Sequence, residues 1–315
     1  MLTKQEISAY QEARGVHSNK LCHAPFTNLY FNTEGHVAVC WLTFHNPVIY
    51  DESKSLKDIW HDVKFQSIRE HIGRNDLSKY CQTCEKHLKQ GNHVNVLAKA
   101  YDTAPSDGDY PSIIEFELEN TCNLACTMCS GYFSSTIRQG REQMPPMPKV
   151  YDDHFAEKLL PFLPFLTDLK FLGGEPMLIK PYRQIWELVR EHSPSIALHI
   201  TTNATVWNTS LEDLLSQLRV GFNLSIDSAI PETYESIRQG AQWKKVVSNI
   251  QKLKKLSDNQ SMYLNIAACV MRSNIHELDR LIEFANSLEA KVHFNIVWNP
   301  EHESLRFLPA ASLKQ

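Results

Sequence analysis

Residues 119–130 read Glu-Asn-Thr-Cys-Asn-Leu-Ala-Cys-Thr-Met-Cys-Ser (ENTCNLACTMCS), which sets Cys122, Cys126 and Cys129 in a CxxxCxxC spacing. The stretch follows directly on Ile113 to Leu118, an apolar, β-branched and aromatic run of the kind that forms a strand. Three thiolates from one tight loop can bind three irons of a four-iron cluster, whereas complete cysteine ligation needs four. One iron then stays open for a reacting molecule, as the vacant position on a catalytic zinc does. The spacing by itself also admits a zinc ion, or a fully ligated cluster whose fourth ligand lies elsewhere.

Working outward from this loop, short apolar runs alternate with amphipathic stretches from residue 110 onward, the pattern of repeated βα units and a parallel sheet. Six strands are expected, at Ile113 to Leu118, Leu169 to Leu172, Ala197 to Thr202, Phe222 to Ile226, Tyr263 to Val270 and Val292 to Val297. Helices are expected over Tyr182 to His192 and Trp243 to Leu256. Another should start at Asn274, whose side chain would cap the first turn while Glu277 reaches back. Met144 to Lys149 (MPPMPK) reads as a loop. Upstream, Thr27 to Phe31 and His36 to Trp41 flank a turn at Asn32 to Gly35 and suggest a hairpin. Leu56, Ile59, Trp60, Val63 and Ile68 recur at helical spacing across Ser55 to Ile72. Tyr101 to Tyr110 (YDTAPSDGDY) has linker composition. The expected organisation is therefore a cysteine-rich domain over 1–100, a linker over 101–110 and an α/β region over 111–315.

A hydrophobic content of 43% in 315 residues supports a real core, and a formal charge of −4 leaves no basic footprint for duplex nucleic acid. No apolar run is long enough to span a bilayer, and the first residues lack the apolar centre of a secretory signal, so a cytoplasmic protein without a membrane partner is expected. In that reducing setting the eight cysteines point to metal binding or catalysis rather than disulfides. Seven fall into spaced groups; Cys269, within the fifth expected strand, is expected to be a small buried hydrophobe.

Beyond the triad, Phe171-Leu172-Gly173-Gly174-Glu175-Pro176 closes the second strand, Thr201-Thr202-Asn203 the third and Ser225-Ile226-Asp227 the fourth. Tyr234 to Gly240 (YESIRQG) follows. In order and spacing these landmarks resemble the radical S-adenosylmethionine (radical SAM) superfamily over about Pro111 to Pro300. The resemblance implies a partial (β/α)6 TIM-like barrel, with site residues at the carboxyl ends of its strands. It implies a 4Fe-4S cluster on Cys122, Cys126 and Cys129 that reductively cleaves S-adenosylmethionine to a 5'-deoxyadenosyl radical, which abstracts hydrogen from a substrate. Gly173, Gly174, Glu175 and Pro176 would receive the methionine amino group, and Asn203, Ser225 and Asp227 would hydrogen-bond the cofactor. Arg238 would pair with its carboxylate. Met128 stands where the family often has an aromatic residue near adenine, and its thioether can make the same soft contact. A flavodoxin or ferredoxin is the implied electron donor.

Cys22, Gly35, Cys40, Cys81 and Cys84 resemble the first portion of the SPASM or shorter twitch domains, which carry auxiliary clusters and normally follow the barrel rather than precede it. Four thiolates suffice for a second 4Fe-4S cluster, and a four-cysteine structural zinc is the competing reading. Nearby His23, His36, His45 and His87 are expected to be ordinary surface or packed residues. The twitch-like element suggests a peptide or protein side chain as substrate. A small metabolite, sugar or nucleotide is the alternative, and a zinc-stabilised binding module is the non-enzymatic one.

Overall fold

The computed structural model describes residues 2–15, 18, 20–104 and 108–309. Residues 105–107 of the expected linker lie outside the described residues. By contacts the chain forms two compact units, one of residues 1–118 with 150–169 and one of residues 119–149 with 170–315.

The first unit holds strands β1 (Asn28–Phe31), β2 (His36–Ala38), β3 (Val48–Ile49) and β4 (Ile113–Phe116). β1 and β2 form the expected antiparallel hairpin, with Tyr30 opposite Ala38 and Phe31 opposite Val37. Its turn is set locally. The Asn32 side-chain oxygen accepts from the backbone N–H of Glu34 (3.1 Å) and His36 (2.8 Å), and Gly35 takes φ +77°, a conformation glycine adopts without strain. β1 also pairs in parallel with β4, from Asn28 opposite Ile113 to Phe31 opposite Phe116. The first strand of the expected barrel is thus hydrogen-bonded to the amino-terminal hairpin. Phe31, Phe116 and Phe155 are fully buried and meet edge-to-face or stacked at 5.6 to 6.1 Å, which gives this unit an aromatic core. The stretch Ser55 to Ile72 is two helices, Leu56–Trp60 and Val63–Gly73. The break falls at Asp62, whose carboxylate accepts from Lys64 N–H and starts a new helix.

β5 (Asp168–Phe171) spans the boundary between the units. The second unit continues with β6 (Ala197–Thr202), β7 (Arg219–Ser225), β8 (Leu264–Val270) and β9 (Val292–Ile296), in which β7 pairs in parallel with β6, β8 with β7 and β9 with β8. A helix lies in every connection, namely Thr209–Leu215, then Pro231–Ile237 and Trp243–Asn259, then Leu278–Ser287. Parallel neighbours need such crossovers, and the helices cover the strands they connect. All six expected strands are present, and residues 143–150 carry no regular structure.

Two local expectations are corrected. Asn274 does not cap a helix: its amide donates to the carbonyls of Asp227 and Cys269 (both 2.8 Å) and accepts from Met271 N–H. The ends of β7 and β8 thus claim the side chain, and the following turn is a 3-10 segment, Ile275–Glu277. Cys269 is only partly buried. β8 alternates strictly, so Ile266, Ala268 and Val270 are buried on one face while Cys269 falls on the other.

Candidate functional site

The cysteine loop is held by its backbone. On one side Gly174 N–H donates to Glu119 O (3.2 Å) and Glu175 N–H to Thr121 O (2.7 Å). On the other, Ala125 N–H donates to Gln239 O and Thr127 N–H to Ile237 O, both 2.9 Å. Further loop carbonyls are taken by the segment that follows: Ser134 donates to Leu124 O and Thr136 to Cys122 O, both at 2.7 Å. The Arg141 guanidinium reaches three more, Ala125 O (2.7 Å), Cys126 O (3.3 Å) and Cys129 O (3.5 Å). With the loop's backbone so engaged, the thiols are what it presents.

Burial pushes all three thiols above their ordinary range. For Cys129 the value reaches about 12, with Cys126 as the next contribution; Cys122 and Cys126 move the same way. Thiolates so confined repel one another and favour metal cations, so the donor set fits an iron cluster. Among the described residues no group of three or more His, Cys, Asp or Glu side chains converges on a single metal ion. A cluster asks for one thiolate per iron and a wider spread.

The residues expected around this loop gather near it, several with their polar atoms already engaged. Glu175 is fully buried; its carboxylate accepts from Thr202 Oγ1 (2.6 Å), Asn203 N–H (2.7 Å) and Met177 N–H (3.1 Å). Burial raises its pKa and these donors oppose the shift. It braces the Gly173–Pro176 turn against the end of β6. The Asn203 amide reaches the loop by donating to Asn123 Oδ1 (3.2 Å), and its oxygen accepts from Thr205. Ser225 ends β7 at a partly exposed position.

Asp227 is fully buried, accepts from Cys269 N–H at 2.8 Å and lies 2.8 Å from Arg238 Nε as an ion pair out of hydrogen-bonding line. Arg238 is itself buried, with Nη1 3.9 Å from Cys126 Sγ. Burial works against its charge, but Asp227, Cys126 and Tyr234 outweigh that and hold the guanidinium ionised. Arg238 is therefore no solvated helix residue: it sits between a carboxylate and a thiol of the triad. Met128 and Cys269 pack on Ile237, Met271 and Val297. Beside the loop opens a cleft of about 500 Å3 lined by Met128, Cys129, Arg141, Gln239, Asn299 and His302 among others, within the size range of small-molecule sites.

Arg141, Asn123, Thr205 and the Asn299–His302 segment were not expected from the sequence. Ser134 does carry a local signal, an N-cap before the helix Ser135–Gly140; the carbonyls that Arg141 binds are set by tertiary folding.

In the first unit Cys22, Cys40, Cys81 and Cys84 line one cavity, walled by Leu21, Leu77, Leu88, Val96 and Tyr101. Burial raises each thiol, Cys40 to about 12. Four thiols lining one apolar cavity form a donor set of the kind that holds an iron cluster; among the described residues they do not converge on a single ion, as a structural zinc would require. His23 is occupied elsewhere, with Ser18, Arg14 and Asp102.

A family profile described as the radical SAM superfamily matches residues 117–285, and one described as an iron-sulfur cluster-binding (SPASM) domain matches residues 22–85. Among curated proteins, the GTP 3',8-cyclase of Chlorobaculum tepidum is 26% identical over 187 residues, covering 58% of this chain and 52% of its own length. The AdoMet-dependent heme synthase of Methanosarcina barkeri is 28% identical over 184 residues, covering 57% and 48%. The chain thus spans about half the length of these relatives. Among solved structures, anSMEcpe with bound AdoMet aligns at a TM-score of 0.49 and 20% identity over 61% of this chain and 53% of its own. Streptococcus suis SuiB bound to S-adenosylmethionine aligns at 0.48 and 14%, over 85% and 62%.

Proposed function

The chain belongs to the radical SAM superfamily, and from that premise we propose that it cleaves S-adenosylmethionine at Cys122, Cys126 and Cys129 and uses the product to modify a peptide or protein side chain. The observation that carries the chemistry is the cysteine loop itself, its backbone engaged and its thiols beside a cleft of about 500 Å3. A 4Fe-4S cluster held by Cys122, Cys126 and Cys129 would supply the one-electron reductive cleavage of S-adenosylmethionine to a hydrogen-abstracting 5'-deoxyadenosyl radical.

The chain's own residues position and shield. Gly173 takes φ +84° in the turn after β5, Gly174 lets that turn approach the loop closely, and Glu175 fixes it. Arg238, held by Asp227, places a fixed positive charge next to Cys126 and favours its thiolate. Met128, packed with Cys269 on Ile237, Met271 and Val297, gives the cleft an apolar patch beside the triad, while Ser225 and Asn203 offer polar contacts to a bound cofactor.

Support for a peptide substrate comes from the iron-sulfur domain match over residues 22–85 and its four-cysteine cavity, for which a second 4Fe-4S cluster is proposed over zinc. Along the chain, residues 1–100 would carry that cluster and 111–315 the catalysis, joined by 101–110. A flavodoxin or ferredoxin would supply electrons. A nucleotide substrate is the second reading, favoured by the GTP 3',8-cyclase relatives. Deuterated peptide libraries and deuterated GTP, each incubated anaerobically with enzyme, reductant and S-adenosylmethionine, separate the two. Deuterium in 5'-deoxyadenosine from peptide alone supports the proposal; deuterium from GTP alone replaces it.

A further inference from the structure

The helix Trp243–Asn259 carries five lysines and a single acidic residue, Asp258, on a chain whose formal charge is −4. Lys254 pairs with that aspartate at 2.6 Å. Lys244, Lys245, Lys252 and Lys255 are exposed. At 3.6 residues per turn they fall within an arc of about 100° and a length of about 16 Å. The opposite face buries Val246, Ile250 and Leu253.

A surface helix arranged for its own stability would look different. Lys244 and Lys245 sit in the first turn, where the positive end of the helix dipole disfavours cations. Lys252 and Lys255 are three residues apart, a like-charge spacing that weakens a helix, and no carboxylate stands four residues before any of the four. Only Lys255 has a carboxylate at a favourable spacing, Asp258 three residues on, so charge pairing within the helix accounts for little of this stripe, whereas the approach of a negatively charged surface accounts for it.

Its place in the fold narrows the partner. The first turn begins three residues after Gly240, at which a Cβ would stand 3.3 Å from Asn123 O, and Gln239 O accepts from Ala125 N–H at 2.9 Å. The amino-terminal end of the stripe is thus a few residues from the backbone that holds the cysteine triad. We propose that the face formed by Lys244, Lys245, Lys252 and Lys255 docks an acidic one-electron carrier protein and brings its redox centre towards the triad. This rests on the cluster assigned above. In the step, a neutral flavin hydroquinone would pass one electron to the oxidised cluster and one proton to solvent, leaving the neutral semiquinone.

The test reconstitutes wild type and the K244E/K245E/K252E/K255E variant anaerobically and follows cluster bleaching by photoreduced acidic flavodoxin and, separately, by dithionite. For wild type the flavodoxin rate should fall at least about tenfold as salt rises from about 0.05 to 0.5 M, because screening removes steering. The variant should be at least about tenfold slower at low salt and insensitive to salt, with dithionite reduction unchanged. The K244Q/K245Q/K252Q/K255Q variant should fall between them, and decides the matter if charge reversal harms folding. Equal flavodoxin rates in wild type and variants overturn the docking surface. So does loss of tRNA binding in the variants with flavodoxin rates intact, which makes the stripe a nucleic-acid site. No bleaching of wild type by dithionite overturns the cluster assignment and this proposal with it.

Discussion

Gly174 and Thr121 meet backbone to backbone: a Cβ on the glycine would stand 2.2 Å from the threonine carbonyl oxygen and 2.6 Å from its carbon. No side chain fits there, so the turn after β5 can lie against the cysteine loop only with glycine at this position.

Gly174→Ala should therefore displace the loop, destabilising the protein by about 1–3 kcal/mol as overpacking does and lowering iron content after reconstitution. Denaturant unfolding with iron analysis reads both. An alanine variant with wild-type stability and full iron would show that the contact does not hold the loop.

Arg141 binds three carbonyls of the same loop. Replacing it by Ala should lose about 1–3 kcal/mol of stability, since hydrogen bonds to a charged donor disappear together. Cluster lability in air should increase. Arg141→Lys should recover only part, because an ammonium lacks the planar fork. If Arg141→Ala keeps the cluster as long as wild type, the clamp is dispensable.

Arg238 and Asp227 are buried together, so Arg238→Ala strands a carboxylate. The expected cost is about 3 kcal/mol or more, and the Arg238→Ala/Asp227→Ala double variant should be less destabilised than the sum of its singles. A double-mutant cycle gives the coupling; strict additivity would mean that the pair is not formed.

Burial holds the Cys129 and Cys40 thiols at about 12, above their ordinary value of 9. Near neutral pH the metal-free protein keeps those protons, so loading must expel them. Iron uptake should strengthen as pH rises from about 7 to 9, by up to tenfold per unit for each thiol displaced. The raised values carry the opposite sign for the metal-free fold, which loses stability as pH rises above about 9, where the unfolded chain gives up thiol protons that the fold retains. Chelator competition between about pH 7 and 9 and denaturant unfolding between about pH 9 and 12 test the two signs; iron uptake independent of pH would mean thiolates ionised beforehand.

The strands were legible because β-branched runs alternate with amphipathic helices, and the cysteine groups because spacing alone makes them stand out. Local patterns failed where a side chain serves distant backbone. Asn274 has the form of a helix cap, yet its amide is spent on the ends of β7 and β8. Cys269 reads as a buried hydrophobe until the register of β8 turns it to the face shared with Met128. Arg238 sits at the end of a short helix, and only the fold brings Asp227 and Cys126 to it. The parallel pairing of β1 with β4 joins residues 85 positions apart, as Asn28 with Ile113, a relationship no local window contains.

The most direct measurement is anaerobic incubation of reconstituted protein with S-adenosylmethionine and dithionite, followed by chromatography for 5'-deoxyadenosine, on wild type and on Cys122→Ala, Cys126→Ala and Cys129→Ala. The account predicts 5'-deoxyadenosine from wild type and none above background from any variant, because each loses one of the three thiolates. Formation at the wild-type rate by any of the three variants, or none by wild type carrying a full cluster, would contradict it.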